Sequence, residues 1–198
     1  MDDHQLIRVG IATLLIPESD MKLVGEASNG REAIAKYREC RPDVTLMDLQ
    51  MPEMSGFDAI VAIRDEFPDA RIIVLTTYVG DVQAQRAMKT GAQGYVLKNL
   101  LHKELLESIR TVYRGRKAMA AEVAADVAQH TGEELLTPKE IDVLRLIAAG
   151  NANKEIAAKL SVTEDTVKSR VKNILDKLGA NDRTHAVTIG LKRGFIEL

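Results

Sequence analysis

Cysteine is almost absent: Cys40 is the only one in 198 residues. An internal disulfide is therefore excluded, which points to a reducing compartment and a cytoplasmic protein. Long apolar runs are missing too. No stretch approaches the ~20 residues that cross a bilayer, and no basic segment leads into an apolar one at the start, so neither a membrane partner nor an export leader is expected. Strong charge of either sign is also lacking, the formal net charge being −2. That balance hides an asymmetry: residues 1–134 carry 16 Lys+Arg against 21 Asp+Glu, and residues 135–198 carry 11 against 8. A mildly acidic part precedes a mildly basic one, and any polyanionic partner belongs to the second. What remains is ordinary globular composition, 45% hydrophobic and 28% charged, in a chain long enough for two modest domains.

Periodicity divides the chain in the same place. Residues 4–16 read as a helix, with Ile7, Ile11, Leu14 and Leu15 on one face. Short apolar runs then alternate with amphipathic stretches: strands at 22–27 (KLVGEA), 43–48 (DVTLMD), 71–77 (RIIVLTT) and 94–98 (GYVLK), and helices at 29–40, 55–67, 81–90 and 102–114. Asn29 is a natural N-cap. Such alternation predicts an α/β fold, a doubly wound parallel sheet covered by helices on both faces. In these sheets functional groups collect at the carboxyl ends of the strands, and those ends carry Asp48, Thr76 and Lys98. Residues 116–134 are rich in alanine, show no strand pattern, and read as a linker with a short helix ending near Thr131-Gly132. From Leu135 onward only helices are predicted, at 137–149, 153–160, 164–178 and 182–193.

An isolated strand-end aspartate usually does no more than cap a loop. Asp48 has company: Thr76 offers a hydroxyl donor, Lys98 a mobile cation, and Asp2-Asp3 the second half of a hard-oxygen magnesium site. With DDHQLIR, LMDLQMPEMSG, VLTTY and GYVLK in order, residues 1–115 resemble a response-regulator receiver domain, whose fold is flavodoxin-like. The resemblance implies that Asp48 accepts phosphate from a sensor histidine kinase. It also implies that Asp2, Asp3, Asp48 and the backbone carbonyl of Gln50 hold Mg²⁺, and that Thr76 and Lys98 contact the phosphoryl group. Tyr95 would be a switch whose rotamer follows phosphorylation; simple packing of an amphipathic ring is the plain alternative. In the receiver family an apolar strand precedes the acidic pair, whereas here only Met1 does. The resemblance thus implies that the N-terminal strand is missing from a sheet of order 2-1-3-4-5. The 22–27 and 43–48 strands would lose the neighbour between them. Asp2 and Asp3 would lose the strand that fixes them beside Asp48, and the α-amino group would add a positive charge that competes with metal.

Residues 135–198 have their own logic. Thr137-Pro138 starts a helix well. Ile156, Ala157 and Leu160 give a short helix an apolar face, Val162 fills a turn, and Val167, Val171, Ile174 and Leu178 point one way on a longer helix. Its other face carries Thr166, Lys168, Ser169, Arg170, Lys172 and Asn173. This is a helix-turn-helix, although a small bundle with a solvated basic face would share the pattern. The segment resembles the LuxR-type helix-turn-helix, and with the receiver it gives the NarL/FixJ type of response regulator. The resemblance implies promoter DNA as partner, with Lys168, Ser169 and Lys172 as groove and phosphate contacts, Arg170 on the same face, and Lys154 and Thr166 near the backbone. It also implies a homodimer on two half-sites. Arg170 stands where the family often has His, and Ala152 where it often has Ser or Thr, which leaves base preference open. Three rivals are weaker. A phosphohydrolase commonly has a second aspartate two residues after its nucleophile, where Gln50 stands here, so no enzyme is expected. A small-molecule-sensing LuxR-type regulator lacks support from residues 1–115. A DNA-binding regulator whose degenerate receiver only dimerises is the runner-up.

Overall fold

The computed structural model describes residues 1–77, 80–130 and 132–196, and only the backbone of residues 100–103. Tyr78 of the VLTTY motif and Thr131, at the expected end of the linker, lie outside the described residues. The chain divides into two compact units. The first comprises Met1–Thr77 and Ala84–Ala124, the second Ala125–Leu198 with the short segment that ends at Gln83.

In the first unit, α1 (Gln5–Leu15), α2 (Gly30–Cys40), β1 (Thr45–Asp48), α3 (Gly56–Glu66), β2 (Ile72–Thr76), α4 (Asp81–Lys89, from Ala84 onward), β3 (Gly94–Leu97), α5 (Leu101–Tyr113) and β4 (Ala118–Met119) follow in order. The strands form a parallel sheet of order β1-β2-β3-β4, so the predicted α/β class holds. Alternation along the strands serves both faces. Ile73, Leu75 and Val96 pack with Ile11 of α1 and with Leu105 and Val112 of α5. Ile72 and Val74, equally buried, point the other way. Each such fully buried side chain contributes roughly 1.5–3 kcal/mol relative to exposure. The helix starts follow their capping residues: Asn29 accepts from the Glu32 N–H and Ser55 from the Asp58 N–H.

Two strand assignments differ from the sequence reading. The predicted 22–27 strand does not form, and Leu23 and Val24 are exposed. A strand exists only through a neighbour's hydrogen bonds. Between this segment and β1 the described residues supply only Met1 and Asp2, which bond to Leu46, Asp48 and Ala27. Conversely, Ala118–Met119 pairs with Gly94 and Tyr95 at the far edge of the sheet. Two residues are too few to show alternation, so the edge of β3 rather than local pattern makes this strand.

The second unit holds α6 (Ala121–Gln129, most of it), α7 (Pro138–Ala148), α8 (Asn153–Leu160), α9 (Glu164–Leu178) and α10 (Arg183–Arg193). Its core gathers Val143, Leu144, Ile147, Ile156, Ala157, Val167, Ile174 and Leu178, with Leu160, Val162 and Val171 packed against them. These include all the apolar positions expected to face inward on α8 and α9. Gly179, at φ 59°, ends α9 in the left-handed region that glycine enters without strain. Among the described residues no helix is long and apolar enough to cross a membrane.

Candidate functional site

The sheet register decides which side chains meet. Asp48 lies opposite Leu75, and Thr76 opposite Leu97, so Asp48, Thr76 and Lys98 occupy successive strand ends. The chain after Asp48 then turns sharply into α3. A Cβ on Gly56 would run into the Asp48 carbonyl, so only glycine lets α3 begin this close to the strand end.

Asp2 is fully buried beside Asp48. Its N–H donates to Ala27 O at 3.0 Å, and the Asp48 N–H donates to Met1 O at 2.9 Å. The loosening expected at Asp2 is therefore absent, because these two rungs do part of the work of a strand. Burial also holds the Met1 amino group below its ordinary pKa, and that group donates to Leu46 O at 3.0 Å. Asp3 is partly exposed and faces His4, whose Nδ1 is 2.8 Å from Asp3 Oδ1 and 3.5 Å from Asp2 Oδ1. One atom each from Asp2, Asp3, His4 and Asp48 lies within 4.8 Å of the others.

Lys98 Nζ stands 2.8 Å from Asp2 Oδ2 and 2.8 Å from Asp48 Oδ2. Among the described residues it makes a well-directed hydrogen bond only to Asp48, and its contact with buried Asp2 Oδ2 is an ion pair. Burial pushes the Asp48 carboxyl above the ordinary range, outweighing the Lys98 ion pair, and the Asp2 charge adds to the rise. Burial opposes the Lys98 charge, but the two carboxylates outweigh it and keep that amine above the ordinary lysine value. One ammonium thus faces two buried carboxylates, with a third carboxylate at the rim. Three carboxylates gathered around one ammonium form a set of hard oxygens that fits a magnesium ion.

The remaining expected residues fall around this pocket. The Gln50 N–H donates to Asp48 Oδ1 at 3.2 Å. Thr76 and Tyr95 are buried. Val74 pairs with Tyr95 and Thr76 with Leu97, so Tyr95 and Thr76 share a face of the sheet on adjacent strands. Sequence reasoning gave no role to Arg8 or His4, although both lie in the DDHQLIR motif. The Arg8 guanidinium donates to Asp2 O at 2.8 Å, to Asp3 O at 3.3 Å and to Glu26 Oε2 at 3.1 Å.

In the second unit, α8 and α9 are joined by a turn in which Ser161 takes the left-handed conformation, φ 52°, and the Val162 N–H bonds to Ala157 O. Thr163 caps α9, and its hydroxyl lies 2.8 Å from that of Thr166. Lys168, Ser169 and Lys172 are exposed along α9, Thr166 and Arg170 are half-buried, and Lys154 is exposed at the start of α8. Lys168 is not idle: Asp165 at 3.2 Å and Glu164 at 3.4 Å hold its ammonium. Ala152 offers α8 no side-chain cap, and the Glu155 carboxylate accepts from its N–H at 2.7 Å instead.

Residues 1–110 match the family described as response regulator receiver domain, and residues 134–189 the family of bacterial regulatory proteins, luxR family. The response regulator protein VraR of Staphylococcus aureus is 37% identical over 202 residues, covering 100% of this chain and 97% of that protein. Among solved structures, RcsB from Salmonella enterica serovar Typhimurium, bound to a promoter in the presence of the phosphomimetic BeF3−, is similar with TM-score 0.73. The identity is 29%, over 95% of this chain and 94% of that one. The response regulator ChrA of a heme-sensing two-component system is similar with TM-score 0.56 and 31% identity, over 98% and 96% of the two chains.

Proposed function

The chain belongs to the response regulators that join a receiver domain to a LuxR-type helix-turn-helix, and from that premise we propose that Asp48 is its phosphoacceptor and α9 its DNA-reading helix. The observation that carries the first half is the Asp2–Lys98–Asp48 cluster, one ammonium at 2.8 Å from each of two buried carboxylates at the end of the sheet.

Phosphoryl transfer asks a protein for in-line positioning and charge neutralisation more than for covalent chemistry. Asp48 presents its carboxylate oxygen to a phosphohistidine of a sensor kinase: the new O–P bond forms as the P–N bond breaks, and the imidazole leaves. Lys98 turns from Asp48 to the transferred group, and the Thr76 hydroxyl donates to it. Asp2, Asp3, Asp48 and the Gln50 carbonyl are the residues that would hold Mg²⁺, which when bound supplies positive charge opposite the phosphoryl oxygens. The product carries roughly −1.5 to −2 charge and three strong acceptors. As Thr76 moves toward it, Tyr95 on the same face follows, which changes the surface that this part of the sheet presents.

In the second unit, Lys168, Ser169, Arg170 and Lys172 on α9, with Thr166 and Lys154, face a promoter duplex. RcsB was solved bound to a promoter, and the same partner is proposed for this chain, engaged as a dimer. A cytoplasmic setting completes the reading, on the strength of the single cysteine.

The test is incubation with Mg²⁺ and a small phosphodonor, read by intact mass. One added phosphoryl group is expected on the wild type and none on Asp48→Ala. An unchanged adduct in Asp48→Ala would overturn the assignment. No adduct on the wild type would favour a regulator that works without phosphorylation.

A further inference from the structure

We propose that Arg8 is a positioning residue for the acidic pair, holding Asp2 and Asp3 in the arrangement that binds a divalent cation; the inference rests on the magnesium reading of the Asp2–Asp48 pocket.

Asp2 and Asp3 precede α1, where backbone is held by few bonds of its own. Asp2 is fixed from the sheet side by its N–H bond to Ala27 and through the Met1–Asp48 rung. From the helix side His4 contacts the two side chains, and Arg8 holds the two backbone carbonyls. Arg8 lies in the first turns of α1, with a fifth of its side chain exposed. One nitrogen, Nη1, donates to the carbonyls of both acids, at 2.8 Å and 3.3 Å, while Nε donates to Glu26 Oε2 at 3.1 Å. Glu26 is followed by Ala27, whose carbonyl takes the Asp2 N–H. The plane of the guanidinium therefore links α1, the acidic pair and the 26–27 segment. Within that frame the His4 N–H donates to Asp2 Oδ1 at 3.0 Å, so the backbone that Arg8 grips also aims the Asp2 carboxylate.

The chemistry of the group matters. Arginine presents donors in a rigid planar fork that serves two carbonyls and a carboxylate at once, whereas a lysine ammonium is a single mobile point. Two effects of Arg8 on a cation oppose each other. Its positive charge repels a metal ion, so simple loss of charge would tighten binding. Its hydrogen bonds orient the ligands, so loss of the fork would weaken it. Partners that orient metal ligands are commonly worth about 10–100-fold in affinity, more than screened repulsion across a partly exposed site supplies. The sign of the change separates the two.

The experiment measures Mg²⁺ binding to the full chain by calorimetry, with Mg²⁺ alone as the probe, alongside the Mg²⁺ dependence of phosphodonor labelling. Arg8→Ala is expected to raise the Mg²⁺ dissociation constant by about 10-fold or more, while the labelling rate at saturating Mg²⁺ stays near wild type. Arg8→Lys, which keeps the charge and loses the fork, is expected to recover only part of the affinity, and it carries the test if Arg8→Ala does not fold. Unchanged or tighter Mg²⁺ binding in both variants, whatever happens to their melting temperatures, would overturn the positioning role. Wild-type binding that survives Asp2→Asn unchanged would overturn the magnesium reading and this inference with it. Binding abolished by Asp2→Asn but untouched by the Arg8 variants would overturn the inference alone.

Discussion

Lys98 sets the charge balance of the acidic pocket, and replacing it separates the two roles of its ammonium. In Lys98→Met the carboxylates of Asp2 and Asp48 face each other without their shared counter-ion. Removing one partner of a buried pair costs about 3 kcal/mol or more. In acid the loss is softened, because Asp48, pushed above the ordinary carboxylate range by burial, is protonated there more readily than a free carboxyl. The sign of the pH dependence follows. A carboxyl whose folded pKa lies above its unfolded value of 3.8 destabilises the fold increasingly as pH rises through that interval. Urea unfolding of Lys98→Met should show the smallest deficit near about pH 4 and the full deficit at neutral pH. Millimolar Mg²⁺ should restore stability more to the variant than to the wild type; equal responses would argue against a shared cation site. At this scale Asp48, Thr76 and Lys98 were legible from sequence because they end strands that announce themselves. Arg8 was not. It acts on the carbonyls of Asp2 and Asp3, and backbone acceptors leave no trace in residue identity.

Elements were legible where their signals are local. Strands 43–48, 71–77 and 94–98 shrink by a residue or two at their ends, and the capped helices start where Asn29, Ser55, Thr137 and Thr163 stand. The 22–27 and 118–119 segments were misread for one reason: strand formation is decided by the neighbour and not by the segment. In the second unit the capping box of α7 joins local and long-range signals. Glu140 Oε2 accepts from the Thr137 N–H at 2.8 Å and its hydroxyl at 3.0 Å, and receives Lys177 Nζ of α9 at 3.0 Å. Burial works against the ionised Glu140, but the Thr137 and Lys177 hydrogen bonds outweigh it and hold its carboxyl below the ordinary glutamate value. Glu140 therefore contributes stability above its unfolded value of 4.5, and this is lost as pH falls through the lower, folded value. Glu140→Ala should destabilise the second unit by about 2 kcal/mol, the range of hydrogen bonds to a charged group. Glu140→Gln, which preserves one arm of the capping box, should cost less. The difference between wild type and Glu140→Gln should close in acid, and a difference independent of pH would refute the ion-pair argument.

For the whole molecule the informative quantity is where charge resides. The acidic excess lies in residues 1–134 and the basic excess in residues 135–198, so counter-ion release on binding a duplex belongs to a few side chains of the second part. Each phosphate neutralised contributes about 0.9 to the slope of log affinity against log salt. Lys172 is exposed on α9, whereas Lys168 shares its charge with Glu164 and Asp165 of the same helix. To reach a phosphate Lys168 must leave two acids, which repel the duplex once uncovered. Its net contribution is therefore smaller, although the residue type and exposure are the same. On a duplex selected by the protein from a random-sequence pool, anisotropy titrations across salt should show Lys172→Ala lowering the slope by about 1. Lys168→Ala should lower it by less, and Glu164→Gln should strengthen binding at low salt. Equal slopes in all three variants would mean that α9 does not face the phosphates, and the assignment of this helix to the duplex would fall with that result.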